Sequence, residues 1–399
     1  MNVRTVALAT CLGFLAFSSQ HTFAQGDPTL DPILKDGIRF ATADNTFALA
    51  LRFRVQSRIG YLSRSYDDLE PKELDFRIRR MRLRLDGHVL DPRLRYQVQL
   101  SFSRADQDWD VSSVPNVLRD AMLWYQISKH WVIGLGQGKL PGNRQRVISS
   151  GEQQFADRSI VNNALTLDRD MGVFVNYSAD YEKFAFRIKT AVTSGEGRNA
   201  LPSDKGLAYT GRLEVLPLGT FTGRNDYFEG DLEHEQKPKL SIAATVHSND
   251  RAVRTGGQLG LPLYESRDLF SVHADMVLKY KGWALSSEYL YRQTDNPATH
   301  DANQNFRYVT AGEGINTQLS YCTAGLWETA FRHSFLIPQR ELYGREPKRS
   351  QYGICVGKYL NKHRVKVQTD FFYEYLQNPE TGLKTGDAFQ WRFQVELGI

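Results

Sequence analysis

Residues Asp75 to Leu85 read Asp-Phe-Arg-Ile-Arg-Arg-Met-Arg-Leu-Arg-Leu. Arginine alternates with large apolar residues at period two. The preceding run repeats the pattern, with Phe47, Leu49, Leu51, Phe53, Val55 and Ile59 interleaved with Arg52, Arg54 and Arg58. Successive side chains of a strand point to opposite faces of its sheet. Two such neighbours therefore build a wall that is apolar on one side and strongly cationic on the other.

The same periodicity, bounded by turn residues, recurs to the C-terminus. It predicts about sixteen strands, at roughly 46–61, 74–90, 93–104, 119–128, 130–139, 171–178, 182–193, 207–216, 238–248, 270–281, 283–293, 313–322, 326–335, 351–360, 363–375 and 387–399, with no helical stretch between them. Most reach or approach the roughly 9–11 residues that cross a bilayer at a tilt. The joints alternate. Those at 62–73, 105–118, 140–170, 194–206, 249–269, 294–312, 336–350 and 376–386 are long, whereas Asp91-Pro92, Ser128-Lys129, Lys281-Gly282 and Asn361-Lys362 are tight. One joint, 217–237, falls where a tight turn is due and is expected to be a periplasmic excursion, the alternative being that the strand count errs there. Long loops at one end and short turns at the other are the plan of an outer-membrane barrel.

Periodicity alone also fits a soluble β-sandwich with its arginines in water. Arginines facing lipid would each cost about 2–4 kcal/mol near the midplane, and five or more would exceed a typical stability of roughly 5–15 kcal/mol. The cationic face must therefore meet water. Strand number, strand length and joint asymmetry favour a lumen. So do the aromatics Tyr61, Tyr96, Phe102, Trp131, Tyr177, Phe184, Tyr289, Tyr291, Trp327, Tyr359 and Trp391, which suit an interfacial girdle.

The N-terminus reads as a separate object. Arg4, the apolar run Val6 to Phe17 and Thr22-Phe23-Ala24 have the layout of a secretory leader over residues 1–24. A periplasmic segment 25–45 and a barrel domain 46–399 are expected to follow. The hydrophobic fraction of 41% and mean hydropathy of −0.45 hide alternating membrane strands. The formal charge is +5, and loss of Arg4 with the leader leaves about +4, so the placement of charge matters more than its sum. Cys322 and Cys355 fall on the twelfth and fourteenth strands, roughly 9–10 Å apart. A disulfide needs Cα atoms within about 7 Å, so two free thiols are expected.

By now the residues resemble a known family. Phe76 to Leu83, Gly136-Gln137-Gly138-Lys139-Leu140-Pro141, Ser149-Ser150, Phe155, Arg158-Ser159, Arg169-Asp170, Gly172-Val173, Arg212-Leu213 with Pro217 and Gly219, Glu288-Tyr289, and Glu328 with Arg332 are similar in order and spacing to the phosphate-selective porin O and P family. Two features depart from it. Gly142-Asn143 stands where the family usually has a bulky aromatic, and the chain ends on Ile399 and not on an aromatic. The resemblance implies an all-β transmembrane antiparallel barrel of sixteen strands, with a long third loop folded into the pore. It implies passage of anions such as phosphate or pyrophosphate and assembly as a homotrimer among outer-membrane lipid and lipopolysaccharide, delivered by the barrel-assembly machinery. No cofactor, metal, nucleic acid partner or catalytic group is expected.

Parity nominates the pore wall: Arg52, Arg54 and Arg58 on the first strand, Arg77, Arg82 and Arg84 on the second, and Arg95 on the third. Arg79 and Arg80 mark a bulge where the phase shifts. Guanidinium is permanently charged and its planar fork matches phosphate oxygens. Asp120, inward on the fourth strand, would either ease release of the anion or form a structural salt bridge. In the third loop Arg158 and Lys139 are expected to face the ion, and Arg169-Asp170 to form a structural pair. Gly134-x-Gly136-x-Gly138 before Lys139 resembles a phosphate-cradling loop but lacks the helix such a loop needs. Glu233-His234-Glu235 reads as a solvated acidic turn in preference to a metal site. A general or organic-anion channel remains the alternative function. A barrel lipase would need a lipid-facing serine or histidine pair that the sequence does not show.

Overall fold

The computed structural model describes residues 37–108, 115–201 and 206–399; the expected leader and residues 25–36 of the expected periplasmic segment lie outside them. Sixteen strands form one antiparallel sheet: β1 (Phe47–Ser63), β2 (Pro71–Val89), β3 (Asp91–Ser101), β4 (Leu118–Gln126), β5 (Trp131–Lys139), β6 (Arg169–Asp180), β7 (Ala185–Thr193), β8 (Ala208–Leu216), β9 (Lys239–Arg254), β10 (Pro262–Tyr280), β11 (Trp283–Gln293), β12 (Gly312–Cys322), β13 (Trp327–Pro338), β14 (Lys348–Asn361), β15 (Val365–Gln377) and β16 (Lys384–Gly398). Each pairs with the next, and β16 pairs with β1 from Gln390↔Leu62 to Gly398↔Arg54, which closes the barrel and leaves no edge. Ile399 extends the seam, its amide 2.9 Å from the Phe53 carbonyl. Where β16 stops, a short strand, Ile38–Ala41, pairs with Ala48–Leu51 and covers the rest of β1.

The distribution of polarity is the reverse of a soluble sandwich. Ile59, Phe76, Ile78, Leu123, Leu135, Val173, Ile242, Ile315, Phe331 and Leu397 are exposed on the outer face, while Gln56, Arg58, Arg80, Arg212, Asp275, Glu288 and Glu396 on the inner face are buried. An exposed apolar band around a polar interior is what a bilayer requires. Trp131 stacks edge-on against Tyr177, with ring centroids 4.9 Å apart, among the exposed aromatics. Tyr359 departs from the expected girdle: it is buried inside and bonds Glu328.

Three expectations about the connections need correction. The joint expected at 249–269 shrinks to 255–261, because β9 and β10 continue their pairing through bulges to Arg254↔Pro262. Two short helices, α1 (Arg144–Val147) and α2 (Ile160–Leu165), sit within the third loop, too short to show a helical period in the sequence; Ser159 caps the second, accepting from the Asn162 amide at 3.1 Å. The 217–238 joint folds into the barrel instead of projecting from it.

The third loop, residues 140–168, touches most of the ring. Arg144 reaches Asp275 on β10 (3.0 Å) and Ser241 on β9 (2.8 Å). Gln145 meets Glu288 on β11 (2.6 Å) and Gln318 on β12 (2.9 Å). The Ala156 amide reaches Asp370 on β15 at 2.9 Å, and Phe155 is buried against Ala330, Cys355 and Phe372. A segment bonded to inward side chains on opposite sides of a closed ring lies inside it. Its far anchor is Asp157, whose carboxylate meets Arg58 (2.6 Å), Arg79 (3.2 Å), Arg80 (3.3 Å) and Arg392 (3.2 Å) at the closure seam. The loop backbone passes close to the wall here: a Cβ on Gly151 would push against the Arg54 guanidinium, which would have to move.

Burial pushes the Asp157 carboxyl up, but Arg79, Arg58, Arg392 and Arg80 outweigh it and hold the group well below the usual carboxylate range. Its contribution is therefore fully present above the ordinary carboxylate pKa of about 4 and is lost only as pH falls through the depressed folded value.

Three measurements check this architecture. Ile78→Arg places a cation on the lipid face and should cost about 2–4 kcal/mol in urea unfolding from vesicles; no loss would mean that residue 78 does not face lipid. Asp157→Asn leaves arginines uncompensated and should loosen the loop by about 3–5 kcal/mol, making Cys355, now buried beneath Gln154 (3.2 Å) and Phe155, reactive to a charged thiol reagent. In the unaltered protein the loop should still resist pepsin at pH about 4, because Asp157 stays ionised until the pH falls through its depressed folded value; cleavage of the loop at that pH would contradict the anchor.

Candidate functional site

The inner face of β1 and β2 sets like charges opposite one another: Arg52 pairs with Arg84, Arg54 with Arg82 and Arg58 with Arg77. Such pairs repel, so each arginine needs an acid, a polar partner or water. Between Gln56↔Arg80 and Ser57↔Ile78 the register shifts by one residue, and Arg79 is the extra residue of the expected bulge. The bulge lets Arg79 and Arg80, adjacent in sequence, both reach Asp157.

The ladder divides into three groups along its length. Towards the long loops, Arg58, Arg79 and Arg80 are spent on Asp157, and Arg77 pairs with Asp75 at 2.9 Å. At mid-height Arg54 donates to Ser149 (3.1 Å) and Ser150 (2.9 Å), while Arg82 holds Asp106 (2.6 Å) and Ser150 (2.9 Å). Towards the short turns Arg52 and Arg84 share Asp86, the latter at 2.8 Å. Arg95 is exposed beyond them, opposite His88 and Trp124.

Between this wall and the third loop lies a cavity of about 330 Å³. Arg52, Arg54, Arg82 and Arg84 line it from β1 and β2, with Gln97 and Gln99 from β3, Asp120, Met122 and Trp124 from β4, Lys139 from β5, and Arg169 from β6; Val147, Ser149, Ser150 and Glu152 of the loop and Arg364 of the 362–364 turn complete it. Seven cationic groups thus meet two carboxylates. One carboxylate is already committed, since Arg169 grips Asp120 through Nε at 2.7 Å and Nη2 at 3.2 Å. Lys139 donates to the carbonyls of Val147 (3.2 Å) and Ile148 (3.3 Å), which occupies two of its three donors. Burial pulls the Arg364 guanidinium below its ordinary value, and Arg52 and Arg54 add to the pull against Glu152. Asp86, Asp106 and Glu396, just outside the lining, pair with Arg52 and Arg84, with Arg82 and with Arg54, and the cationic groups that face the enclosed space still concentrate anions and repel cations.

Of the residues nominated from sequence, Arg52, Arg54, Arg82, Arg84, Asp120 and Lys139 meet in this cavity. Arg58, Arg79 and Arg80 instead anchor the loop, Arg77 pairs at the rim, and Arg95 lies beyond the cavity. Arg158 is corrected: it turns into its own loop, donating to the carbonyls of Gln145 (2.8 Å) and Ile148 (2.9 Å). The pair Arg169-Asp170 is corrected as well. Arg169 belongs to Asp120 and Asp168, and Asp170 accepts from Thr193, Ser194 and the Gly195 amide. Adjacent residues of a strand point to opposite faces, so the pairing was already disfavoured by parity. Arg364 and Glu152 were missed, because turn and loop residues carry no periodicity from which direction can be read.

Solved outer-membrane proteins share this architecture. A trimer form of OmpT, an outer membrane protein of Vibrio cholerae, matches at TM-score 0.53 and 12% identity over 89% of this chain and 100% of that one. The outer membrane channel DcaP of Acinetobacter baumannii matches at TM-score 0.55 and 11% identity over 90% and 99%. An anion-selective porin from Comamonas acidovorans matches at TM-score 0.53 and 12% identity over 88% and 100%. No curated protein matches by sequence. At such identities these structures establish the fold alone. The family is established by the model for the phosphate-selective porin O and P family, which matches residues 49–397. The barrel, its apolar outer band and that match converge: the chain is an outer-membrane β-barrel channel and belongs to the phosphate-selective porin O and P family.

Proposed function

We propose that the chain passes small anions by passive diffusion, with inorganic phosphate as the favoured solute, through the cationic space between β1–β6 and the third loop. The observation that carries this reading is the seven-to-two excess of cations over carboxylates around that cavity. Arg52 and Arg84 share one acid, so each retains donors for a passing oxyanion. Binding must be strong enough to draw the ion in and weak enough to release it, and donors already half engaged by Asp86 and Gln97 meet that need. Met122 and Trp124 add an apolar strip to the same wall, which favours organic anions as the second reading. Assembly as a homotrimer, the form in which the OmpT neighbour was solved, is part of the proposal.

In planar bilayers under a salt gradient, the reversal potential should report anion selectivity, and phosphate should reduce chloride current. Cation selectivity would overturn the proposal; competition by carboxylates in place of phosphate would favour the second reading. Arg52→Gln with Arg84→Gln should lower the anion-to-cation permeability ratio several-fold while heat-modifiable gel mobility stays normal, because both side chains are partly exposed. Arg82 is unsuited to charge reversal, since a glutamate there would face Asp106 in a buried site.

A further inference from the structure

The 217–238 segment joins β8 to β9 at the end where other connections are tight. Strand register would allow a tight turn there too: Val215 pairs with Ile242, which brings Leu218 opposite Lys239. The chain instead inserts a long stretch whose two ends are exposed and whose middle is buried, with Phe221, Asn225, Asp226, Glu229, Asp231, Leu232 and Glu235 concealed.

Its contacts lie on the wall away from the cationic cavity. Asp226 pairs with Arg187 on β7 at 2.6 Å. Lys279, inward on β10, donates to the Asn225 carbonyl (2.6 Å), the Asn225 side chain (2.9 Å), the Phe228 carbonyl (2.9 Å) and the Gly230 carbonyl. Asp231 accepts from the Gly282 amide at 2.8 Å. Gly230 (φ +73°) passes so near β13 that a Cβ would lie 2.3 Å from Oε1 of Glu328. Phe228 stacks on His363 with centroids 5.6 Å apart. The top of the segment meets the third loop: the Glu229 amide bonds the Glu152 carbonyl (2.8 Å), and its carboxylate accepts from the Gln154 amide (2.8 Å) and the Gln145 side chain (3.3 Å). What is left between segment, loop and wall is a void of about 20 Å³, room for about one water.

From this we infer that residues 217–238 are an inward-folded plug that closes the β7–β14 side of the lumen from the short-turn end, braces the third loop, and confines ions to the arginine-lined side. Lys279 is its clamp, a positioning residue and not a binding site for the ion. The conductance part of this inference rests on the channel reading above; the accessibility part does not.

Cys322 supplies a built-in reporter. It is fully buried, packed with Leu232 of the plug and with Tyr359. Two variants test the proposal: replacement of 219–238 by Asn-Gly, and Lys279→Met. In both, Cys322 should react with a charged methanethiosulfonate at least about tenfold faster than in the unaltered protein, and single-channel conductance should rise roughly twofold as the second side opens. The sign for Lys279→Met is decisive. Loss of an ion-facing cation would lower anion current and leave Cys322 protected, which overturns the proposal. Reactive Cys322 with unchanged conductance would also overturn it, since the segment would then cover the wall without closing the lumen. Lys279→Met keeps the whole chain and so decides the matter if the shortened variant fails to fold. If no form conducts, the channel reading fails, while the thiol result still tests the plug.

Discussion

Asp157 is the group on which the pore depends. One carboxylate at the end of the third loop gathers Arg58, Arg79, Arg80 and Arg392 from the strands that close the barrel. Without it, Arg58, Arg79 and Arg80 would crowd together at the seam with little to offset their repulsion. At its other end the loop reverses the arrangement: Arg144, a cation, lies between Asp275 and Asp226 at 3.0 and 3.9 Å. The loop is thus strapped across the lumen by complementary charges, an acid on the basic wall and a base on the acidic one. Burying such charges is costly unless each is paired, so the strap has one low-energy orientation. That orientation leaves space on the side of Arg52, Arg54, Arg82 and Arg84.

The barrel interior therefore has two unlike sides. On one, the loop and the 217–238 segment interlock through Glu229 and fill the space. On the other, cations outnumber carboxylates around an open volume. The ordered side makes the open side narrow, and narrowness is what gives a few guanidinium groups authority over a passing ion. Cys322 and Cys355, both free and buried, sit beneath the two inward segments, one under each. They stay apart because β13 lies between their strands.

Much of the architecture was legible in the sequence, for a physical reason. A membrane strand must show lipid one face and water the other, so the period-two signal survives in every strand, and even the Arg79 bulge is visible as a doubled arginine. Parity likewise identified the inward arginines of β1 and β2. It could not show which of them are free. That depends on Asp157 and Asp106, loop residues brought to the wall by folding and carrying no period of their own. Arg169 was assigned to its sequence neighbour when its partner, Asp120, lies across two strands. The length and acidity of 217–237 marked an exception, but its inward course is set by Lys279, remote in sequence and unremarkable on β10.

The central claim is that anions travel on one side of the lumen only. Anomalous diffraction from crystals soaked in bromide, followed by arsenate as a phosphate mimic, would locate them directly. The account predicts peaks between Arg52, Arg84 and Arg364, and none among Arg144, Arg187 and Lys279. Peaks among the latter, with the arginine cavity empty, would contradict it.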